Sequence, residues 1–451
     1  MRLLLVRCPR LLELWPIAAS RQLLPWTIAV ATGLSGCTSV RLVDPAPHDG
    51  YSAMLRGSGL DRTALGQDWL RVSEEALQKP VTTASPFQET GYFARGEASA
   101  VGYRLDLQRG RRLSIEVAFD SGTTPARLFV DLFRVPPDGR HRRVASLGAD
   151  RAALVHEVDA DGIYVLRLQP ELLRGGRFTI TGRTLASLLF PIPGRKADTI
   201  QSLFGAERDA GARSHEGVDI FVPRGTPVVA VASGTARTTV NNLGGNVVWL
   251  GAGGKTFYYA HLDRWAFDGV AQVRAGDVLG YVGNTGNART TSPHLHFGVY
   301  DDGAINPLPF LRPDEPAPAV PATPYEHLGT FVRVAAPRAS LRDGPAADRS
   351  RLAQLERHTP VRVLGAAGRW LRVSLPDRAA GYIEESTVTP GDRPIRRDTL
   401  RSPTPLREGP WPSSPVIETL RQGHVVEVFG GFSDYEWLRA PSGRVGWRAV
   451  R

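Results

Sequence analysis

From about residue 90 onward the chain reads in steps of two, and that alternation limits its fold more than any other feature. In "VGYRLDLQRGRRLSIEVAF" the apolar positions Val101, Tyr103, Leu105 and Leu107 are followed, after Gln-Arg-Gly, by Leu113, Ile115, Val117 and Phe119. Successive strand residues face opposite sides of a sheet, so the spacing predicts two strands joined as a hairpin, each with one buried face. "RLFVDLFRV", "GIYVLRLQP" and "RFTITGR" carry the pattern to about residue 183. A β-sandwich over 89–186 is the natural result. The fold class predicted for the whole chain is mainly β, with 47 glycines and 35 prolines to supply turns. One stretch reads differently. "LDRTALGQDWLRVSEEALQK" has apolar residues at 65, 69, 72 and 76 and Asp61 as a cap, which predicts a short helix inside a tether spanning 37–88.

The two cysteines, Cys8 and Cys37, both lie near the start. A disulfide framework and thiolate metal sites are therefore excluded for the rest of the chain. Arg2, Arg7, Arg10 and Arg21 accompany an apolar run, Leu23 to Gly36. That run is shorter than the roughly 20 residues of a membrane-spanning helix, so residues 1–36 read as a cleaved export signal. It closes in "LSGC", Leu34 to Cys37, which resembles the bacterial lipoprotein box. The resemblance implies lipidation of Cys37 and a membrane partner reached through that lipid. It also implies a place in the bacterial cell envelope facing the periplasm, with Thr38 favouring the outer membrane. The formal charge of +10 is almost wholly arginine and favours anionic partners. No nucleic-acid-binding motif accompanies it, so nucleic acid is not an expected partner.

The tail contains a repeat. "SLRDGP" at 340–345 recurs as "PLREGP" at 405–410, "RWLRV" as "EWLRA", and "AGYI" as "VGWR", at an offset of about 65 residues. These features resemble bacterial SH3-like domains, which predicts two small barrels at 329–390 and 393–451. Domains of that kind in secreted proteins often bind cell-wall peptides. Trp370 and Trp437, on strands, read first as packing residues. A Pro/Ala-rich stretch over 312–328 reads as a stiff linker ahead of them.

Between sandwich and repeat, at 187–311, lies "SHEGVDIFVPRGTPVVAVASG". His-Glu-x-x-Asp falls one residue short of the zinc-protease helix motif His-Glu-x-x-His. Gly217, the β-branched "VDIFV" and Pro223 make this a strand entering a turn, so the helical template is the wrong one and Glu216 need not be a base. Three more histidines follow: His261 in "YYAHLDR", and His294 and His296 in "SPHLHFGVY". On a strand His294 and His296 project into one space. A carboxylate with two imidazoles leaves one tetrahedral zinc position open, which is the catalytic pattern.

"HEGVD", "YAHL" and "SPHLHFGV", with "SLFG" upstream, resemble in order and spacing the motifs of the M23 (LytM/lysostaphin-type) peptidases. The resemblance covers about 120 residues and implies an antiparallel β-core with a groove. It implies that His215, Asp219 and His296 bind Zn²⁺, and that His261 and His294 act on the attacking water and the tetrahedral intermediate. The activity implied is hydrolysis of peptide bonds in peptidoglycan stems or cross-links during wall remodelling. The alternative is a non-catalytic wall-binding regulator that activates peptidoglycan amidases; regulators of this fold lack metal ligands, and none is missing here.

Overall fold

The computed structural model describes residues 46–148, 151–208, 211–318 and 325–450. The export signal and Cys37 lie outside them. Among the described residues no helix is long and apolar enough to cross a membrane.

Two helices stand where a tether with one short helix is expected. Pro47–Gly57 is followed by a 3-10 turn, Leu60–Arg62, and by Ala64–Gln78. The second helix is capped by Thr63, whose Oγ1 accepts from the Gly66 N–H, and not by Asp61. Neither helix is free. His48 stacks on Trp69 at 4.8 Å, Trp69 lies edge-on to Phe129 of the sandwich, and its indole N–H donates to the Pro170 carbonyl. The first helix escaped the sequence reading because its start, "PHDGYSAM", has no continuous apolar stripe.

The β-sandwich forms, but Val101–Leu107 and Arg111–Asp120 are not a hairpin. The first pairs with Gly162–Pro170, the second with Gly176–Ala186 and Ala153–Glu157, and the two belong to different sheets. The turn at 108–110 crosses from one layer to the other. Both strands then bury their apolar face in one core from opposite sides, where Tyr103, Leu105, Leu113, Ile115, Leu166, Phe178 and Ile180 meet. Period two fixes which face is buried and is silent about the partner strand.

The next unit is built on an antiparallel sheet in which Val218–Phe221, His294–Tyr300, Lys255–Trp265, Gly245–Ala252 and Gly234–Asn241 lie side by side. One face is the core: Val218, Ile220, Val248, Leu250, Phe257, Tyr259, Leu295, Phe297 and Val299 are buried there. The opposite face carries the site described below.

Residues 312–318 of the stiff linker are also tied to the sandwich by hydrogen bonds. Buried Arg111 of the sandwich donates to the carbonyls of Arg312 (2.7 Å) and Pro313 (3.0 Å). The Thr184 N–H donates to the Glu315 carboxylate at 2.6 Å.

The repeat is visible in the strand order. The first unit runs Arg351–Glu356, Arg338–Arg342, Ala380–Glu384, Trp370–Ser374, Pro360–Ala367, Phe331–Val334; the second runs Val416–Leu420, Thr404–Arg407, Val445–Ala449, Tyr435–Arg439, Val425–Phe432, Arg396–Thr399 in the same succession. The first does not stand apart from the sandwich. Thr90 and Gly91 pair with Ala366 and Gly365, so one sheet continues from the sandwich into it. At this seam Glu89 is buried. One carboxylate oxygen accepts from Arg372 (2.8 Å) and Tyr103 (2.7 Å), the other from Tyr382 (2.5 Å). Trp370 packs in the sandwich core, and half-buried Trp437 sits between Phe331 of the first unit and Phe429. Both tryptophans are thus packing residues, used between units.

Removing one partner of a buried, hydrogen-bonded ion pair strands the other charge, at about 3–5 kcal/mol. Glu89→Ala is therefore expected to destabilise the protein by about that amount in a denaturant titration. An exposed pair such as Arg338 with Glu356 should change stability by less than about 1 kcal/mol when broken.

Candidate metal centre

Strand register brings the donors together. Asp219 on Val218–Phe221 faces His296 on His294–Tyr300, and Phe221 faces His294. His215 approaches from the turn that precedes Val218. His215 Nε2, Asp219 Oδ1 and His296 Nδ1 form a triangle with every side 3.0 Å. The His215 Nδ1 lies 2.9 Å from the Leu203 carbonyl. A carbonyl can only accept, so the proton sits on Nδ1 and the Nε2 lone pair points into the triangle, toward the lone pairs of Asp219. Two unprotonated donors this close repel each other unless a cation lies between them. Tetrahedral zinc at its usual bond lengths would space such donors at roughly 3.3 Å. The donor set therefore fits zinc with small relaxation, and three protein donors leave a fourth position open.

Burial alone would raise the Asp219 carboxyl, but its polar contacts with the His215 and His296 rings outweigh it and hold the group well below the usual carboxylate range. The second Asp219 oxygen accepts from Arg208 at 2.8 Å, and the same guanidinium nitrogen donates to the Ser202 hydroxyl at 2.5 Å. Arg208 thus holds Asp219 with Oδ1 turned inward. Gly217 makes room for the ring of His296: a Cβ there would lie 2.7 Å from both Cε1 and Nε2. In the sequence Gly217 speaks only against a helix, and Arg208 is no more than an arginine in a polar stretch.

His261 and His294 stand beside these donors, with ring centroids 4.9 Å apart, and His261 lies 6.0 Å from His296. Each carries its proton on Nδ1, bonded at 2.9 Å to the carbonyl of Thr285 and of Ser292 respectively. Each therefore presents Nε2 as an acceptor. Burial, the largest cause, lowers the His261 imidazole to about 4 and also lowers His296. His261 reaches the groove by a departure from strand alternation. Phe257 and Tyr259 face the core, so the next odd position should too. Instead His261 takes a left-handed φ of 63° beside an irregularity in the pairing with Gly245–Ala252. A non-glycine residue held there costs about 1–2 kcal/mol. The distortion turns the imidazole to the groove side, a known use of strand bulges.

The structure thus brings together all five residues singled out in the sequence. Cys37, the expected lipidation site, lies outside the described residues.

Residues 213–307 match Peptidase family M23, and residues 335–390 match the bacterial SH3 domain. The chain carries both domains. The DD-carboxypeptidase/endopeptidase Mpg of Neisseria meningitidis serogroup B is 38% identical over 104 residues, covering 22% of this chain and 24% of that protein. The L-Ala–D-Glu endopeptidase of Bacillus subtilis is 34% identical over 139 residues, covering 27% of this chain and 42% of that protein. Among solved structures, the catalytic domain of lysostaphin from Staphylococcus simulans is 34% identical, covering 24% of this chain and 88% of that one, with a TM-score of 0.22. The similarity spans about a quarter of the Neisseria relative's length.

Two outcomes are expected. Arg208→Ala should weaken zinc binding by about 10–100-fold in a chelator competition, the usual effect of losing a residue that orients a ligand. In metal-free protein, the unfolded chain protonates His261 near pH 6.5 and the folded chain only near 4. Stability should therefore fall as pH drops through that window, by on the order of 3 kcal/mol at most. His261→Asn should flatten the slope in denaturant titrations at pH 7, 5.5 and 4.

Proposed function

We propose, from the M23 peptidase domain that this chain carries, that it is a zinc-dependent endopeptidase cleaving peptide bonds in peptidoglycan stems or cross-links. The observation that carries this reading is the convergence of His215, Asp219 and His296 on one point, with His261 and His294 beside it, each held at Nδ1 by a backbone carbonyl. M23 peptidases are zinc metallopeptidases, and relatives of this chain act as endopeptidases on peptidoglycan.

Bound by His215 Nε2, Asp219 Oδ1 and His296 Nδ1, zinc would supply Lewis acidity toward a scissile carbonyl and acidify water at neutral pH. The protein's own residues do the rest. His261, kept neutral by burial, can take a proton from the attacking water and return it to the leaving amine. His294, held by the Ser292 carbonyl, offers a second acceptor, and when protonated a donor to a developing oxyanion. Together such groups contribute about 10²–10⁴-fold.

Cys37 is the proposed lipid attachment point, a reading that rests on the Leu34–Cys37 box, and it would hold the enzyme on a membrane facing the periplasm. The two SH3-like units are proposed to contact the wall. Trp370 and Trp437 are occupied between units, so another surface of each unit would have to make that contact. A non-catalytic amidase regulator would have no use for a complete donor triangle with two oriented histidines.

The test is zinc content together with digestion of purified peptidoglycan by the soluble mature form. One equivalent of zinc and new peptide ends, both lost in His296→Ala, are the expected result. Neither zinc nor cleavage in the parent protein would move the weight to the regulator.

A further inference from the structure

The groove face of the sheet extends beyond the donors. Alternation along His294–Tyr300 puts His294, His296, Gly298 and Tyr300 on one side. Across the pairing, Tyr258 faces Gly298 and Trp249 faces Tyr258. The result is an aromatic floor that starts at the metal centre. The Tyr258 ring lies 5.8 Å from His296, Trp249 lies 4.3 Å from Tyr258, and Tyr300 lies 5.7 Å from Trp249. Trp249 and Tyr300 are half-buried, so part of each ring faces solvent. At Gly298 a Cβ would lie 2.9 Å from the Tyr300 ring and 3.2 Å from the Glu216 carbonyl oxygen, so only glycine leaves the floor open at that point.

Glu216 stands at the edge of this floor. It follows metal-competent His215 directly, and its side chain is exposed. Its carboxylate makes one long contact, 3.5 Å to the Tyr300 hydroxyl. Among the described residues no cation pairs with it, whereas Asp301, which follows Tyr300, is taken by Arg109 and Lys255. A carboxylate beside aromatic faces is the chemistry that receives a primary ammonium: a charge-assisted hydrogen bond on one side, cation–π attraction on the other. An anionic side chain would be repelled at the same point.

We propose that Glu216, with the solvent-facing parts of Trp249 and Tyr300 packed on buried Tyr258, forms a subsite that binds a primary ammonium carried by the substrate residue flanking the scissile bond. The inference rests on the peptidase reading and deepens it to a substrate class. Glu216 is here a specificity residue and takes no part in proton transfer.

The test uses the zinc-loaded mature protein and two synthetic stem peptides, identical except that a side-chain amine next to the scissile bond is free in one and acetylated in the other. The readout is the ratio of kcat/KM for the free amine over the acetylated peptide. A ratio of about ten is expected for the parent, expressed in KM, from one charge-assisted contact. It should fall to about one in Glu216→Gln, and below one in Glu216→Lys, where like charges oppose. Cleavage of both peptides with a ratio near one in the parent, or one unchanged by either substitution, would overturn the subsite and leave the peptidase standing. Cleavage of neither peptide by zinc-loaded parent would remove the peptidase reading and the subsite with it.

Discussion

The rest of the molecule depends on the two-sidedness of one strand, His294–Tyr300. Leu295, Phe297 and Val299 point into the core and fix the strand's register against Val218–Phe221 and Lys255–Trp265. A slip of one residue would send the histidines into that core and the apolar residues into the groove, so hydrophobic burial itself holds His294 and His296 in place. Asp219 is set opposite His296 by the same pairing. Chemistry on one face is thereby guaranteed by packing on the other.

A second constraint ties the units together. The sandwich and the first SH3-like unit share a continuous sheet and a buried carboxylate whose partners come from both. Such a network is worth little against an apolar replacement, yet it penalises wrong docking heavily, because any misplacement leaves a buried charge unpaired. The second unit docks on the first with the corresponding strand: Gly431 N–H donates to the His358 carbonyl, and Trp437 packs on Phe331. The two units thus use corresponding strands at their contacts, the first by continuing the sandwich sheet and the second as a separate sheet. The peptidase unit is fastened in its turn by Arg111 and Glu315 through residues 312–318.

Much of this was legible in the sequence, and the limits are physical. Alternation revealed the strands and the shared direction of His294 and His296, because side-chain direction is a local property. It did not reveal that Val101–Leu107 and Arg111–Asp120 sit in different sheets, since pairing is decided by distant segments. Alternation misplaces His261. The rule assigns it to the core, and only the resemblance to a known motif put it with the others. Arg208 and the carbonyls of Leu203, Thr285 and Ser292 were out of reach for another reason: backbone acceptors carry no residue signature, and a loop arginine looks like any solvated charge. The helix Pro47–Gly57 was hidden by its polar start, and is held by Trp69 and Phe129 rather than by propensity.

The left-handed backbone at His261 narrows what evolution can do at that position. Glycine, asparagine and aspartate tolerate such a conformation, whereas valine, isoleucine and threonine do not. A descendant that abandoned catalysis but kept the fold would be free to lose the imidazole and would still be bound by the twist of the chain. Its position 261 should drift toward that small set, so the shape of the backbone would preserve a record of the lost histidine after the chemistry had gone.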